Sequence, residues 1–346
     1  MMFCVYPTDN EETRTLTFDA ARTQDKTLLF TSLHIPESQG LKSYLEYLRE
    51  KHRQRGFTFF ADISPLTFER LHISIDDLSE LREAGVTGLR IDFGFSNTEI
   101  KQITKSGLQI AVNASCVTEA DIEELALPNL AGWHNYYPRP ETGLTRDFFL
   151  IQTALFNGRG LPVYTFIPGE RQFRAPLFLG LPTLEHQRYK NVYRNFVEIK
   201  YLSPESTVVC SEGTLYQEHA TWIQTYEKKG VLTVPLSFTD GALENTLFDK
   251  VFTVRTEDTG VSWRLENTRR VITPEKVIQG ETRARGTLQM DMPSYGRYQG
   301  ELHIMRKDMP VTANSVRVAE IPEPYKALVD FIRPKEEIQF IKAGKL

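Results

Sequence analysis

The 346-residue sequence contains only three cysteines and no long hydrophobic run. Cys4, Cys116 and Cys210 are far apart and none belongs to a C-x-x-C pair, which argues against a disulfide framework and against a zinc cluster. The N-terminus turns acidic after a few apolar residues, and no segment approaches the roughly 18 apolar residues of a membrane span. We therefore expect a cytoplasmic protein with no signal peptide and no membrane partner.

The sequence also lacks a strong excess of charge, because its formal net charge is -4. This balance provides no general attraction to nucleic acid, and no stripe of basic and aromatic residues is present. The P-loop pattern, a strand-linked G-x-G-x-x-G and the metal-binding spacings H-x-H and H-E-x-x-H are all missing. We expect no nucleic-acid partner, no cofactor and no metal.

What the first part of the chain does contain is a series of eight short runs rich in β-forming residues, most of them separated by helical patterns. The runs are residues 2–6, 27–33, 58–63, 88–93, 109–114, 130–135, 162–167 and 207–211. Alternation of strand and helix predicts parallel strands joined by right-handed crossovers. Eight units favour an α/β fold with a (β/α)8 TIM barrel over residues 1–230, and an open doubly wound sheet is the alternative.

After Gly230 the pattern changes. Strand-like stretches follow one another, separated by turn residues, with helical patterning only near residues 325–332. The stretches are residues 231–238, 249–256, 260–267, 285–292 and 298–305. This pattern predicts a second, smaller and mostly β domain over residues 231–346.

The segment "GLRIDF", residues 88–93, has charged residues within an apolar strand pattern. Side chains alternate along a strand, so its apolar residues, Phe93 included, are expected to face the helices, while Arg90 and Asp92 point into the barrel. Near the mouth, Asp92 is expected to meet Asp62 from the neighbouring strand. A buried carboxylate needs a partner or a ligand, so we predict that both aspartates are catalytic. Arg90 either binds the substrate or forms a buried ion pair with them.

Further polar residues follow the predicted strands, where the active site of a TIM barrel lies. Glu37 is a candidate acid, and its alternative role is to complement a helix dipole. His34 and His134 are expected to hydrogen-bond a polar ligand rather than a metal. The remaining substrate-binding candidates at these strand ends are Asn113, Asn135 and Tyr136.

Three arginines are candidates for holding a phosphate. Barrels of this type often bind phosphate with the loops after strands seven and eight. Arg171 and Arg174 lie in the loop after the seventh run, and Arg139 follows the sixth. The guanidinium fork matches phosphate geometry, although solvated loop arginines are the alternative interpretation.

In the second domain, the segment over residues 285–304 is unusually polar. Tyr295, Arg297 and Tyr298 are predicted to close over a sugar bound at the barrel mouth. For its acidic residues Asp291 and Glu301, the polar outer face of an edge strand is an equally good interpretation.

Taken together, several of these motifs resemble the bacterial 6-phospho-N-acetylmuramidases, and the resemblance extends over nearly the whole chain. The motifs are residues 30–37, 61–64, 88–95, 113–115, 134–144, 180–188 and 295–302. The resemblance implies a barrel followed by a cyclophilin-like β domain. It also implies a cytoplasmic hydrolase of the disaccharide of N-acetylmuramic acid 6-phosphate and N-acetylglucosamine, acting in cell-wall sugar recycling. One departure is Ser211-Glu212 at the end of the eighth strand, where the family usually has Gly-Asp.

Glycoside hydrolysis generally needs one carboxylic acid to protonate the leaving oxygen and a second carboxylate to attack or to activate water. Asp62 and Asp92 are the first choice for this pair, and Glu37 is the substitute acid. Retention, inversion and assistance by the substrate's acetamido group all remain open. Two other functions compete. One is a sugar-phosphate lyase or isomerase, but the eight runs contain no lysine, which argues against a version that uses a Schiff base. The other is a non-catalytic sugar-phosphate sensor.

Overall fold

The structure is a computed structural model that describes residues 1–35, 40–238, 241–248, 250–269 and 282–344. The chain divides into two compact units, Met1–Ala220 and Thr221–Leu346. Glu37 lies outside the described residues.

The first unit contains eight parallel strands in the order β1-β8-β7-β6-β5-β4-β3-β2. The ring closes between β1 and β2, where Cys4 and Phe30 form a parallel bridge and the N–H of Val5 donates to the carbonyl of Phe30 at 2.9 Å. The predicted (β/α)8 barrel is therefore confirmed. Its strands are β1 Met2–Phe3, β2 Leu28–Ser32, β3 Thr58–Ile63, β4 Val86–Ile91, β5 Gln109–Asn113, β6 Ala131–Trp133, β7 Val163–Ile167 and β8 Thr207–Cys210.

Helices alternate with these strands. They are α1 Glu11–Thr23, α2 Leu41–Arg55, α3 Pro65–Leu71, α4 Ser79–Glu83, α5 Asn97–Thr104, α6 Glu119–Leu125, α7 Arg146–Asn157, α8 Val192–Leu202 and α9 Gln217–Lys229, with a 3-10 turn at Glu185–Gln187. Local sequence sets several of their starts. Before α5, for example, the Ser96 N–H donates to the Glu99 carboxylate at 2.7 Å while the Glu99 N–H donates to the Ser96 hydroxyl at 3.3 Å. This reciprocal capping satisfies two backbone donors at the helix start.

Large aromatic side chains fill the barrel below its mouth. The Trp133 ring lies 4.8 Å from that of Phe30 and 4.9 Å from that of Phe60, and it stacks on Tyr164 at 4.2 Å. Layers of inward side chains are the usual interior of this fold. The charged side chains Asp62 and Arg90 lie near the carboxyl ends of β3 and β4, where the mouth of the barrel is.

The second unit is mostly β, as predicted. Its main sheet has the order β10-β17-β9-β16-β13-β14-β11, with β12 and β15 paired separately. The strands are β9 Val231–Phe238, β10 Val251–Thr253, β11 Ser262–Arg264, β12 Thr282–Arg283, β13 Thr287–Asp291, β14 Leu302–Met305, β15 Met309–Pro310, β16 Ser315–Glu320 and β17 Glu337–Lys342. Helix α10 spans Gly241–Leu247, and 3-10 helices span Pro293–Tyr298 and Glu323–Asp330. The sequence patterns did not predict α10, β12, β15, β16 or β17.

Candidate active site

Arg90 is the centre of a charged cluster at the carboxyl ends of β3 and β4. Its side chain is almost fully buried, and its Nη1 donates to Asp62 Oδ1 at 2.8 Å. Its Nη2 lies 3.3 Å from Asp92 Oδ1 and 3.1 Å from Asn135 Oδ1. Two carboxylates therefore share one guanidinium, and the three ionised groups together carry one net negative charge.

The surroundings raise the pKa of both members of the Asp62–Arg90 pair, which favours the neutral form of Asp62 and the charged form of Arg90. Burial raises the pKa of Asp62, the nearby Asp92 adds to the rise, and Arg90 opposes it. For Arg90, burial disfavours the charge, but the attraction of Asp62 and Asp92 outweighs burial and raises the pKa. Arg90 consequently stays charged, whereas Asp62 holds a proton more readily than an ordinary carboxyl group.

Asn113 and His134 support this cluster from β5 and β6. Asn113 Nδ2 donates to Asp92 Oδ1 at 2.7 Å. The His134 ring is fully buried, with Nδ1 at 3.3 Å from the Ser115 hydroxyl and Nε2 at 2.9 Å from that of Thr153. Burial lowers the pKa of His134 to about 3, so its ring is neutral. Because both ring nitrogens already have protein partners, the geometry differs from the predicted ligand contact and makes His134 a support for Ser115.

His34 and Phe93 lie at the same end of the barrel. The Phe93 ring is 59% exposed and meets the His34 ring edge-on, with centroids 5.1 Å apart. The expectation that Phe93 faces the helices is wrong, because β4 ends at Ile91 and the chain turns before α5 begins. His34 Nδ1 is buried without a hydrogen-bond partner among the described residues.

A second cluster lies where β6, β7 and β8 end. The Arg174 guanidinium lies 4.3 Å from the centroid of the Tyr6 ring and 5.5 Å from that of Tyr136, and its Nη1 donates to the Tyr136 hydroxyl at 3.1 Å. Burial raises the pKa of Tyr136, Arg174 opposes this rise, and Asp62 adds to it. Charged residues of both clusters therefore influence the pKa of Tyr136.

Glu212 belongs to this second cluster and was not among the predicted site residues. Its carboxylate accepts the backbone N–H of Arg174 at 2.7 Å and is 1% exposed. Burial raises the pKa of Glu212 to about 7, and burial likewise raises the pKa of nearby Asp9 to about 6. The sequence feature that could have identified Glu212 is its position directly after the eighth predicted run, residues 207–211.

The other predicted arginines, Arg139 and Arg171, are exposed on the loops after β6 and β7. A buried arginine that was not predicted from the sequence, Arg188, holds these loops together. Its guanidinium donates to the carbonyls of Tyr137 and Gly180, at 2.8 Å each, and pairs with Glu185. Arg188 therefore has a structural role.

In the second unit, Tyr295, Arg297 and Tyr298 share the 3-10 helix Pro293–Tyr298. Tyr295 is 40% exposed, and Arg297 Nη2 donates to the Tyr298 hydroxyl at 2.7 Å. The two acidic residues of this segment have partners within the unit: Asp291 Oδ1 lies 2.8 Å from His303 Nε2, and Glu301 forms ion pairs with Arg264 and Arg269.

Within the described ranges, no group of three or more His, Cys, Asp or Glu side chains is placed to hold a metal ion. In the same part of the chain, no helix combines the length and the apolar character that crossing a bilayer requires.

Two family models match the chain. The N-terminal model of 6-phospho-N-acetylmuramidase covers residues 3–224, and the C-terminal model of the same enzyme covers residues 232–341. The chain belongs to the 6-phospho-N-acetylmuramidase family. The two matches together span the barrel strands and most of the β domain, and the family takes its name from a glycosidase.

Two solved structures resemble this family member over nearly its whole length. A conserved Enterococcus faecalis protein of unknown function is 27% identical, with a TM-score of 0.83 over 99% of this chain and 96% of that one. An uncharacterised B. cereus protein, 21% identical with a TM-score of 0.81 over 98% of both chains, shows the shared fold alone. A comparison with curated proteins produced no match.

Proposed function

We propose that this family member is a cytoplasmic hydrolase that cleaves the glycosidic bond between N-acetylmuramic acid 6-phosphate and N-acetylglucosamine in cell-wall sugar recycling. The observation that carries this proposal is the attachment of Asp62 and Asp92 to one buried guanidinium at the barrel mouth. Two carboxyl groups at one site, in unequal environments, are what glycoside hydrolysis requires.

The unequal environments assign the roles. Asp62 has a raised pKa and is the candidate general acid for the leaving oxygen, with Glu37 as the substitute. Asp92, whose side chain is 22% exposed, is the second carboxylate, which attacks, activates water or orients the substrate's acetamido nitrogen. As Asp62 gives its proton to the leaving oxygen, the cluster gains one net negative charge, which favours the positive charge that develops on the sugar in the transition state.

The phosphate is assigned to the arginines on the loops after β6 and β7. Arg174 is the principal candidate because interactions with Tyr136 and Tyr6 raise its pKa, against the effect of burial, and keep it charged. Its Nε makes no hydrogen bond within the described ranges, and a phosphate oxygen is a suitable acceptor. Arg139 and Arg171 are the exposed cations of the same rim. The predicted sugar contacts are His34, Asn135, Tyr136, Tyr295, Arg297 and Tyr298.

The test compares the phosphorylated disaccharide with its unphosphorylated form. We expect hydrolysis of the first, with a product mass that includes one water, and strong preference over the second. Asp62→Asn and Asp92→Asn are each expected to lower turnover by about 10²- to 10⁴-fold while the circular dichroism spectrum is retained. Asp291→Asn is the matched control. Asp291 is as buried as Asp62, with exposures of 6% and 5%, but its partner is His303 and not Arg90.

Three results would contradict the proposal. Wild-type rates in both cluster variants would remove the carboxylate assignment. Products formed without added water would indicate a lyase. Tight binding of the disaccharide without turnover would indicate a sensor.

A further inference from the structure

Glu212 is a buried carboxylate that the proposed hydrolysis does not use. Its Oε2 accepts the Arg174 N–H, and the backbone N–H of Leu181 also approaches the carboxylate and helps to lower its pKa, but its Oε1 makes no hydrogen bond of good geometry within the described part of the chain. Arg174 Nε is likewise buried and without a partner there. Buried polar atoms without partners are rare in proteins, so two of them on interacting residues require an explanation.

The loops that carry these two residues are pressed together. A Cβ on Gly169 would lie 2.1 Å from the Glu212 carbonyl oxygen, and a Cβ on Gly213 would lie 1.9 Å from that of Arg171. The backbones of Arg171 and Thr214 also exchange hydrogen bonds of 3.2 and 3.3 Å. The end of β8 therefore determines the path of the loop after β7.

The same strand end also supports the guanidinium of Arg174. The Tyr6 hydroxyl donates to the Ser211 carbonyl at 2.7 Å, and the Tyr6 ring is the surface over which the guanidinium lies. Ser211 and Glu212 thus hold Arg174 through its stacking partner and through its backbone.

We propose that Glu212 is a positioning residue that holds Arg174 in the orientation in which its guanidinium binds the phosphate of the substrate. This inference rests on the proposed function, which assigns the phosphate to Arg174. Positioning within a fraction of an ångström matters because a bidentate guanidinium–phosphate contact depends on geometry as well as on charge.

The charge on Glu212 adds a pH dependence to this role. The titratable groups that influence Glu212 or its partner Arg174 are Asp9, Cys210, Tyr6 and Tyr136. Burial raises the pKa of Glu212 to about 7. Below that pH Glu212 is neutral and the charge of Arg174 is free for the phosphate; above it, the ionised Glu212 competes. This competition is expected to weaken phosphate binding as the pH rises through 7, and it opposes the gain in affinity that the second ionisation of the phosphate itself provides.

The experiment measures the KM and kcat of the full chain for both disaccharides, and the binding of inorganic phosphate by calorimetry. At pH 6, where Glu212 is largely neutral and does not compete for Arg174, Glu212→Ala is expected to raise the KM for the phosphorylated disaccharide about tenfold, with little change in kcat or in the KM for the unphosphorylated form. It is expected to add little to the loss caused by Arg174→Ala, because the two residues act as one unit. Glu212→Gln keeps an acceptor oxygen for the Arg174 N–H but cannot ionise. Because phosphate titrates in the same range, the two proteins are compared at each pH, and the phosphate affinity of Glu212→Gln relative to the wild type is expected to increase between pH 6 and pH 8.

Glu198→Gln is the matched control, because Glu198 is 2% exposed and its partners are His186, Gln187 and Arg194. Equal effects of Glu212→Ala on both disaccharides, full additivity with Arg174→Ala, or unchanged phosphate binding would overturn the inference. If Glu212→Ala fails to fold, the pH profile of Glu212→Gln decides, and a profile identical to that of the wild type overturns the inference. Absence of turnover in the wild type, with phosphate binding that still depends on Glu212 and Arg174, would overturn the proposed function alone.

Discussion

At the scale of single residues, the candidate site depends on one buried cation. Arg90 is the partner of both aspartates, and Asp62 and Asp92 have side-chain exposures of 7% and 22%. Breaking a buried pair by removing one partner is costly because the remaining charge is left without compensation. The ion-pair interpretation of Arg90 and the catalytic interpretation of the aspartates are therefore compatible, since the same contacts hold the acids in place.

We expect Arg90→Met to lower the free energy of unfolding by about 3–5 kcal/mol, because it leaves Asp62 buried beside Asp92 without a counter-ion. Addition of Asp62→Asn is expected to recover part of this loss. Denaturant unfolding of the two variants and the wild type measures the difference.

Arg159→Met is the control for this prediction, since Arg159 also contacts two carboxylates, those of Glu119 and Glu123, but at the surface. Its loss of stability is expected to be much smaller than that of Arg90→Met, because solvent screens the exposed pairs. A double variant less stable than Arg90→Met would contradict the prediction.

At the scale of elements, the two loops after β7 and β8 behave as one structure. Gly213 has φ +53° in addition to its close approach to Arg171, so any larger residue there meets both backbone strain and a steric clash. Arg174, which we propose binds the phosphate, lies three residues beyond Arg171, so a shift of this contact is expected to displace its guanidinium.

Gly213→Ala is expected to cost about 3 kcal/mol or more, as the sum of left-handed strain and overpacking, and to raise the KM for the phosphorylated disaccharide. Gly160→Ala is the control, because Gly160 has φ +65° and a Cβ added there would meet no atom within 4 Å. Only the strain term of about 1–2 kcal/mol applies there. Equal losses of stability in the two variants, measured by thermal unfolding, would show that the loop contact is not tight.

At the scale of the whole molecule, buried titratable groups link stability to pH. Burial raises the pKa of Glu212 from 4.5 to about 7 and that of Asp9 from 3.8 to about 6. The folded state therefore binds more protons than the unfolded state between these values, and these two groups make stability fall as the pH rises from about 4 to about 7. His134 acts in the opposite direction, since its lowered pKa of about 3 makes stability fall as the pH drops below 6.5.

Replacement of Glu212 by glutamine removes the contribution of Glu212 to the pH dependence of stability. The stability of Glu212→Gln relative to the wild type is expected to increase as the pH rises from 4.5 to about 7, by up to about 3 kcal/mol, and then to remain constant. Thermal unfolding of both proteins across this range measures the difference. A difference that does not change with pH would show that Glu212 titrates normally in the folded state.

Much of the barrel was predictable because its signals are local. The run at residues 58–63 coincides with β3, and the other seven runs each overlap one strand. In the second unit β16 and β17 were missed, although the turn residues Asn314 and Pro334 precede them. Phe93 was misplaced because an alternating pattern does not show where the strand ends and the turn begins.

The sequence by itself determined the eight strands, their parallel arrangement and the presence of Asp62 and Arg90 at neighbouring strand ends, because side-chain alternation and strand polarity are properties of short segments. Only the tertiary structure decided that one guanidinium joins Asp62 to Asp92, that His134 is enclosed, and that Glu212 holds Arg174. Glu212 and Arg174 are 38 residues apart and meet because two loops pack backbone to backbone, and such an approach depends on long-range contacts that no local pattern encodes.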